Sequence, residues 1–420
     1  MRQVVFVLLL SMSAILAFQV SAQAEWYKGA IHVHSLRSDG DGAPEVPVAW
    51  YKDHGWNFVC VTEHNQKQDD ERFRPITPEK QPAPAQVKIL RDQFGDDWVE
   101  TKVENGQEML RLKTYDEMKA HFEEEGEFLL IHGEEITSLG KGPHVCALNI
   151  VDVIPADRDK DAVTLARMYH NAVTEQCAAK NQPMIAVLNH PNFAESVTIE
   201  EILELKEYRL FEVFNGHPGV NNWGHVENGY PSTDRIWDVV LSFRLMEDKT
   251  NVLYGLASDD THNYINWGTG NANPGRGWLM VDADSLQADA LLEAIEAGKC
   301  YPSTGIVLDA IESSDTGLSF SIQAESGVKY TTRFIGSRKG FSTKTTPYLD
   351  KKGKTPSRAS LVYDDSIGVV LAETTDLNPS YRFEGDELYV RAAIVSDKLH
   401  PNAFAKGDYE MAWVQPVVAP

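Results

Sequence analysis

Short apolar runs recur along the chain, and most of them close on a polar cluster. Phe58-Val59-Cys60-Val61 runs into Thr62-Glu63-His64, and Phe128-Leu129-Leu130-Ile131 into His132-Gly133-Glu134-Glu135. Ile185-Ala186-Val187-Leu188 likewise runs into Asn189-His190-Pro191, and Val252 to Ala257 into Ser258-Asp259-Asp260-Thr261-His262. Apolar runs this short, bounded by turn formers, predict buried strands. Helices are expected between them. Over 44–54, Val46, Val48, Ala49 and Trp50 supply one apolar face; over 114–125, Tyr115, Met118, Ala120 and Phe122 interrupt a series of acids. Alternation of this kind predicts an α/β fold, and polar side chains at the C-terminal ends of its strands are what a β/α-barrel enzyme requires.

Two stretches depart from that pattern. Residues 66–127 read as an insertion: Arg72 to Gln86 is rich in proline and charge, and Val99 to Leu112 alternates about Glu104-Asn105-Gly106, a hairpin signal. The insertion is expected to form part of an active-site rim. Beyond about Gly305, alternating segments (Leu318 to Ile322, Tyr330 to Ile335, Gly368 to Ala372, Leu388 to Ile394, Tyr409 to Val414) follow one another with no helices between them. They predict a β-sandwich-like domain over 305–420, serving either to buttress a barrel over 25–304 or to bind substrate.

The length of 420 residues accommodates two such domains. A formal net charge of −23 argues against nucleic acid and anionic membrane surfaces as partners, because both require a basic footprint. At the N-terminus, Arg2, an apolar run from Val4 to Val20 and the small-residue site Ala22-Gln23-Ala24 predict a signal peptide over 1–24, and hence a periplasmic or secreted protein with no membrane span after its removal. Cys60 and Cys146 lie in strand-like segments and are expected as buried thiols, while Cys177 and Cys300 are a candidate pair in an oxidising compartment.

The polar clusters carry the chemistry. Besides those above there are His32-Val33-His34, with Asp39 five residues on, and Pro143-His144-Val145. Side chains two apart on a strand share a face, so His32 and His34 can reach one ion, and Asp260-Thr261-His262 repeats the spacing with a carboxylate. A mixed imidazole and carboxylate set favours Zn, Mn or Fe over Ca or Mg. Ions held this way activate water for attack on a phosphorus or carbonyl centre. Asp260 is a candidate both to ligate and to take a proton, and His190 or His262 to protonate a leaving group. Arg37 and Arg276 are candidates to clamp an anionic substrate, with Asn215 and His217 facing the same mouth. His132 is expected to pack on the opposite side of its strand.

Taken in order, His32-x-His34, Asp39, Glu63-His64, Glu135, His144, His190 and Asp260-x-His262 resemble the ligand motifs of the polymerase and histidinol phosphatase (PHP) superfamily of metal-dependent phosphoesterases, from about Trp26 to about Thr304. The resemblance implies a distorted (β/α)7 barrel with two or three divalent ions at its C-terminal mouth. It implies as ligands His32, His34, Asp39, His64, Glu135, His144, His190, Asp260 and His262. The motifs differ at Glu63, where the family has Asp, and in the doubled acids Glu134-Glu135 and Asp259-Asp260; Glu63, Glu134 and Asp259 are assigned to orienting ligands or water. The activity implied is hydrolysis of phosphomonoesters or phosphodiesters on a small-molecule or oligosaccharide substrate, anionic in character. Ester or carbamate hydrolysis is an alternative, as is carbohydrate processing that includes elimination on a uronate.

Overall fold

The computed structural model describes residues 25–138, 142–403 and 405–420. The signal peptide expected over 1–24 lies outside them. Among the described residues no helix is long and apolar enough to cross a membrane.

The sequence's apolar runs form the first seven strands of one large sheet: β1 (Trp26–Ala30), β2 (Phe58–Val61), β3 (Leu129–Thr137), β4 (His144–Leu148), β5 (Ile185–Leu188), β6 (Leu210–Asn215) and β7 (Tyr254–Ser258). The sheet continues through β8 (Trp278–Asp282) and β9 (Cys300–Ser303) into β10 (Tyr330–Gly336), β11 (Val369–Thr374), β12 (Tyr389–Leu399) and β13 (Tyr409–Val418). Spatial order is β7-β6-β5-β4-β3-β2-β1-β8-β9-β13-β12-β10-β11.

This corrects the expected barrel in two respects. Neighbours β1/β2, β2/β3, β5/β6 and β6/β7 are parallel, but β4 runs antiparallel to both β3 and β5, so residues at its start lie beside the C-terminal end of β3. Nor does a continuous ladder join β7 to β1. Their extensions meet instead at one bridge, Val33 with Thr261, where the His34 N–H donates to the Thr261 carbonyl at 3.0 Å. The sheet still curls strongly, because Tyr27, Cys60, Ile131, Cys146, Val187, Leu210, Leu256 and Leu279, one from each of β1 to β8, share a single buried cluster. Period-two alternation then fixes which side chains rise from that interior toward the mouth.

Helices cover the outer face. In the helix Thr233–Glu247, Ser232 caps the N-terminus by accepting from the Arg235 N–H, and Ile236, Trp237, Val239, Val240, Leu241 and Leu245 are buried. A cap of this kind contributes about 1 kcal/mol. The two helices expected from the sequence span Glu45–Asp53 and Tyr115–Phe122, the second capped by a Thr114/Glu117 box.

The insertion folds on itself as Thr101–Glu104 and Gln107–Leu112 paired across Asn105 and Gly106, both at positive φ (51° and 79°), a geometry that suits Asn-Gly. Arg72–Pro75 adds a third strand, and the helix Pro84–Phe94 packs Val87 and Leu90 against Leu36, Leu110 and Leu112.

Residues beyond 305 are β-rich, but their main strands extend the large sheet, joined to it where Ser303 pairs with Ala412. A separate three-stranded sheet (Leu308–Ser314, Gly317–Ile322, Ser380–Arg382) packs Leu318, Phe320 and Tyr381 onto Phe334, Val390 and Ile394. Arg391 ties this part to the first: its guanidinium donates at 2.7 Å to each oxygen of Asp238 and lies 4.7 Å from the Trp237 ring. All four cysteines are free thiols, so Cys177 and Cys300 are unpaired; Cys60 and Cys146 are buried.

Candidate metal centre

Glu135 is the hub. It follows Leu129, Ile131 and Gly133 on the inward face of β3, and its carboxylate lies within reach of five imidazoles. Oε1 is 3.4 Å from His32 Nε2, 3.0 Å from His144 Nδ1 and 3.2 Å from His190 Nε2; Oε2 is 3.5 Å from His34 Nε2 and 2.7 Å from His64 Nδ1. His144 reaches it because β4 is antiparallel and pairs His144 with Thr137 at the end of β3.

Asp260 faces the same histidines from the other side. Its Oδ1 is 3.3 Å from both His32 Nε2 and His34 Nε2, and Oδ2 is 3.8 Å from His190 Nε2. The residue holds φ at 49°, a left-handed conformation that costs a non-glycine residue energy and that recurs at functional sites. Nearer solvent, Asp39 lies 3.2 Å from His262 Nε2 and 3.4 Å from His64 Nε2. Eight of the nine ligand candidates thus fall in overlapping groups, His34 with Asp39, His64 and His262; His32 with His34 and Glu135; Glu135 with His144 and His190; Asp260 joins them through His32 and His34.

Divalent cations fit this donor set. His32 Nε2 and His34 Nε2 are buried with no hydrogen-bond partner, a costly arrangement for polar atoms that a cation relieves. The electrostatics of the protein alone point the same way. Burial opposes charge on His64, yet Glu135 and Asp39 outweigh it and push that imidazole up to about 11. At His34, burial acts with the charges of His262 and His64 and lowers the imidazole to about 3. Burial alone would raise Glu135 and Asp260, but the surrounding histidines hold both well below the usual carboxylate range.

The three supporting acids divide by where strand parity sends them. Glu63 accepts from the backbone N–H and hydroxyl of both Ser35 and Ser38, pinning the turn that carries Asp39. Gly40 closes that turn, since a Cβ there would sit 2.7 Å from the Ser35 Cα. Asp259 takes the Tyr51 hydroxyl and the N–H groups of Gly275, Arg276 and Gly277 at 2.6–2.7 Å, fixing the loop behind Asp260. Glu134 does not take the place expected of it. It points out of the opposite face of β3 and accepts the Ile154 N–H at 2.6 Å. His132, on that same outer face, stacks on Tyr115 at 3.7 Å.

Neither arginine is free to clamp a substrate. Each guanidinium nitrogen of Arg37 is engaged, by Asp70 and the carbonyls of Asp70 and Lys113, and each of Arg276 by the carbonyls of Gly216, Gly268 and Asn402. Both are wholly buried, where a guanidinium satisfied by carbonyls is structural. Asn215 lies between Glu212 (2.9 Å) and Asp260 (3.2 Å), and its Oδ1 accepts the His217 N–H. His217 sits half-buried beside His262, with ring centres 5.3 Å apart. Burial lowers its imidazole, with Asp260 opposing.

Sequence reasoning missed Glu212. It is the third residue of β6, inward by the same parity as Leu210, and is 1% exposed. Its carboxylate accepts from His32 Nδ1 (2.8 Å), the Ser258 hydroxyl (2.5 Å), the His190 N–H (2.8 Å) and Asn215 Nδ2 (2.9 Å). The signal was an acid alone within the apolar run Leu210-Phe211-Glu212-Val213-Phe214. Asn189 was also unmarked; its amide donates to Glu135 at 3.0 Å.

No family model and no curated protein matches the chain. Among solved structures it is similar to a two-domain protein from Bacteroides vulgatus, described as containing a predicted PHP-like metal-dependent phosphoesterase. Identity there is 15%, with 94% of this chain and 96% of that one covered and a TM-score of 0.41. It is also similar to a proposed metal-dependent phosphoesterase from Bifidobacterium adolescentis, at 12% identity, 64% and 95% coverage and a TM-score of 0.28.

Proposed function

We propose that this chain is a metal-dependent phosphoesterase of the PHP type, exported by its N-terminal segment and acting on a small-molecule phosphomonoester or phosphodiester. The observation that carries the reading is the Glu135 carboxylate set among five imidazoles, with buried ligand atoms that find no partner within the protein. Two or three Zn, Mn or Fe ions suit the donors. Asp39, His64 and His262 with His34 would hold an ion at the rim; His32, His34, Glu135, His144, His190 and Asp260 would hold the deeper ones. Bound there, the ions would polarise a phosphoryl oxygen and lower the pKa of water near the phosphorus.

The protein's own part is orientation. Glu212 fixes the ring of His32, Asn189 and Asn215 hold Glu135 and Asp260, and the Glu63-braced turn sets Asp39 at the solvent edge. Asp39 is half-exposed, and is therefore the ligand best placed to meet incoming substrate.

Elemental analysis of the protein purified from residue Glu25 without chelators, alongside His34→Ala and Asp260→Ala, tests the reading. Two or three equivalents of Zn, Mn or Fe are expected in the wild type, with loss in both variants and loss of aryl phosphate hydrolysis in parallel. A metal-free wild-type protein overturns the proposal. Metal with turnover of aryl esters and none of phosphates moves the assignment to carboxylic or carbamic esters.

A further inference from the structure

The loop after β5 carries a side chain that the metal centre does not use. Phe193 is half-buried, and its ring centre lies 5.3 Å from that of His190, 5.9 Å from His144 and 6.0 Å from His217. It therefore walls one side of the mouth directly beside two ligand histidines. The backbone that presents it is strained, since Ala194 and Glu195 follow in succession at φ 48° and 57°. Two consecutive left-handed non-glycine residues persist only where their surroundings impose them.

What imposes them comes from the C-terminal part of the chain. Arg358 donates to the Glu195 carbonyl (3.1 Å) and the Ser196 carbonyl (2.5 Å), and its guanidinium pairs with both oxygens of Glu201 at 2.7 Å. The Tyr230 hydroxyl donates to the same Glu195 carbonyl at 3.0 Å. Two residues on, the Ser360 hydroxyl accepts the Ile199 N–H at 3.1 Å. The segment around Arg358 thus latches the loop at Glu195 and immediately after it.

Beside Phe193, His217 offers one polar contact. Its Nδ1 accepts the Gly219 N–H at 3.0 Å, which leaves the ring proton on Nε2. The wall is an apolar ring face plus one N–H donor. The cations that sequence placed near the mouth, Arg37 and Arg276, are committed elsewhere, and the Lys67 ammonium is paired with Asp69 and the Val151 carbonyl.

We propose that Phe193 and His217 form the leaving-group side of the site, held in place by Arg358, and select phosphoesters whose leaving group is planar and uncharged, such as an aryl group. The inference rests on the phosphoesterase reading. Phe193 and His217 touch the leaving group; Arg358 is a positioning residue that acts through the 193–196 loop.

Calorimetric titration of the Zn- or Mn-loaded full-length mature protein with phenylphosphonate and methylphosphonate, neither of which it can cleave as an ester, tests the assignment. Wild type is expected to bind the phenyl compound roughly tenfold more tightly, the scale of one aromatic contact. Phe193→Ala should bring the ratio close to one while leaving methylphosphonate affinity unchanged, and Phe193→Leu should retain part of it. Arg358→Ala should lower the ratio in the same way, an effect that a loss of general stability would not produce. Equal binding of the two compounds by wild type, or an unchanged ratio in Phe193→Ala, overturns the wall while leaving the phosphoesterase reading standing. Binding of neither compound by metal-loaded wild type overturns both.

Discussion

Glu212 and His32 are joined by a 2.8 Å hydrogen bond from the imidazole Nδ1 to the carboxylate, deep in the sheet interior. A proton fixed on Nδ1 leaves Nε2 as the lone-pair donor, and Nε2 is the atom that faces Glu135 and Asp260. Four donors converge on Glu212, so a glutamine amide there would turn its NH2 onto N–H or O–H groups. Glu212→Gln should therefore weaken metal binding by about 10–100-fold, the usual cost of losing an outer carboxylate, with the far-ultraviolet circular dichroism unchanged. Competition against a chromogenic chelator measures this, and wild-type affinity in the variant would remove the role assigned to Glu212.

Arg74 should control the rim ion. Its guanidinium donates to the carbonyls of Leu36, Arg37 and Ser38, holding the turn before Asp39 to the inserted sheet. Arg74→Ala is expected to lower the metal content by one equivalent, the deeper ions remaining, and to cost about 1–3 kcal/mol of stability from the carbonyls left bare. Elemental analysis and urea melts of the same preparation check the two effects separately.

Glu45 gives a pH dependence that stands apart from the metal centre. It is buried in the first turn of its helix, takes one hydrogen bond from the Trp98 indole of the insertion, and has its second oxygen unpartnered; burial pushes its carboxyl up to about 7. A carboxyl that ionises near 4.5 when unfolded and near 7 when folded binds more protons in the folded state between those values. Stability contributed by the neutral form is thus complete below pH ~4.5 and is lost as the pH rises toward ~7, by about 3 kcal/mol at most. Glu45→Gln should be nearly neutral at pH 4.5 and clearly more stable than wild type at pH 7.5. Thermal melts at the two values decide it, and a pH-independent difference would count against the assignment.

Removing one partner of the Arg391 network should be costly. Asp234 and Asp238 both contact its guanidinium, and Arg391→Met would leave the buried Asp238 and the part-buried Asp234 without their cation. A loss of about 3–5 kcal/mol is expected in denaturant unfolding. Asp238→Asn, which keeps the shape and one acceptor, should cost less.

Strand parity accounts for much of what the sequence made legible. Apolar runs ending in His and acid located the mouth, and two-residue alternation separates Glu135 from Glu134 and places His132 on the outer face. The same rule applied to Leu210–Asn215 would have found Glu212; it was passed over because a single acid among apolar residues carries no motif. What alternation cannot reveal is direction: β4 has the same apolar signature whichever way it runs, and only pairing shows that His144 begins a strand that descends from the mouth. The arginines failed for a different reason. Arg37 and Arg276 stand next to ligand motifs, but their charges are consumed by carbonyls from distant loops, among them those of Lys113 and Asn402. The appended β strands read correctly as strands, while their continuity with the main sheet depends on one pairing, Ser303 with Ala412, that no local pattern encodes.

The bridge between Val33 and Thr261 joins the two ends of the curled part of the sheet. His32 and His34 follow the first strand, yet their carboxylate neighbour Asp260 follows the seventh, and the hydrogen bond from His34 to Thr261 joins segments far apart in the sequence. A cation captured early by the two histidines would lack the acids that complete its shell. If the proposed ions bind, full occupancy would report that the chain has brought its two distant ends of sheet together, and an ion-free fraction would mark molecules lacking that contact.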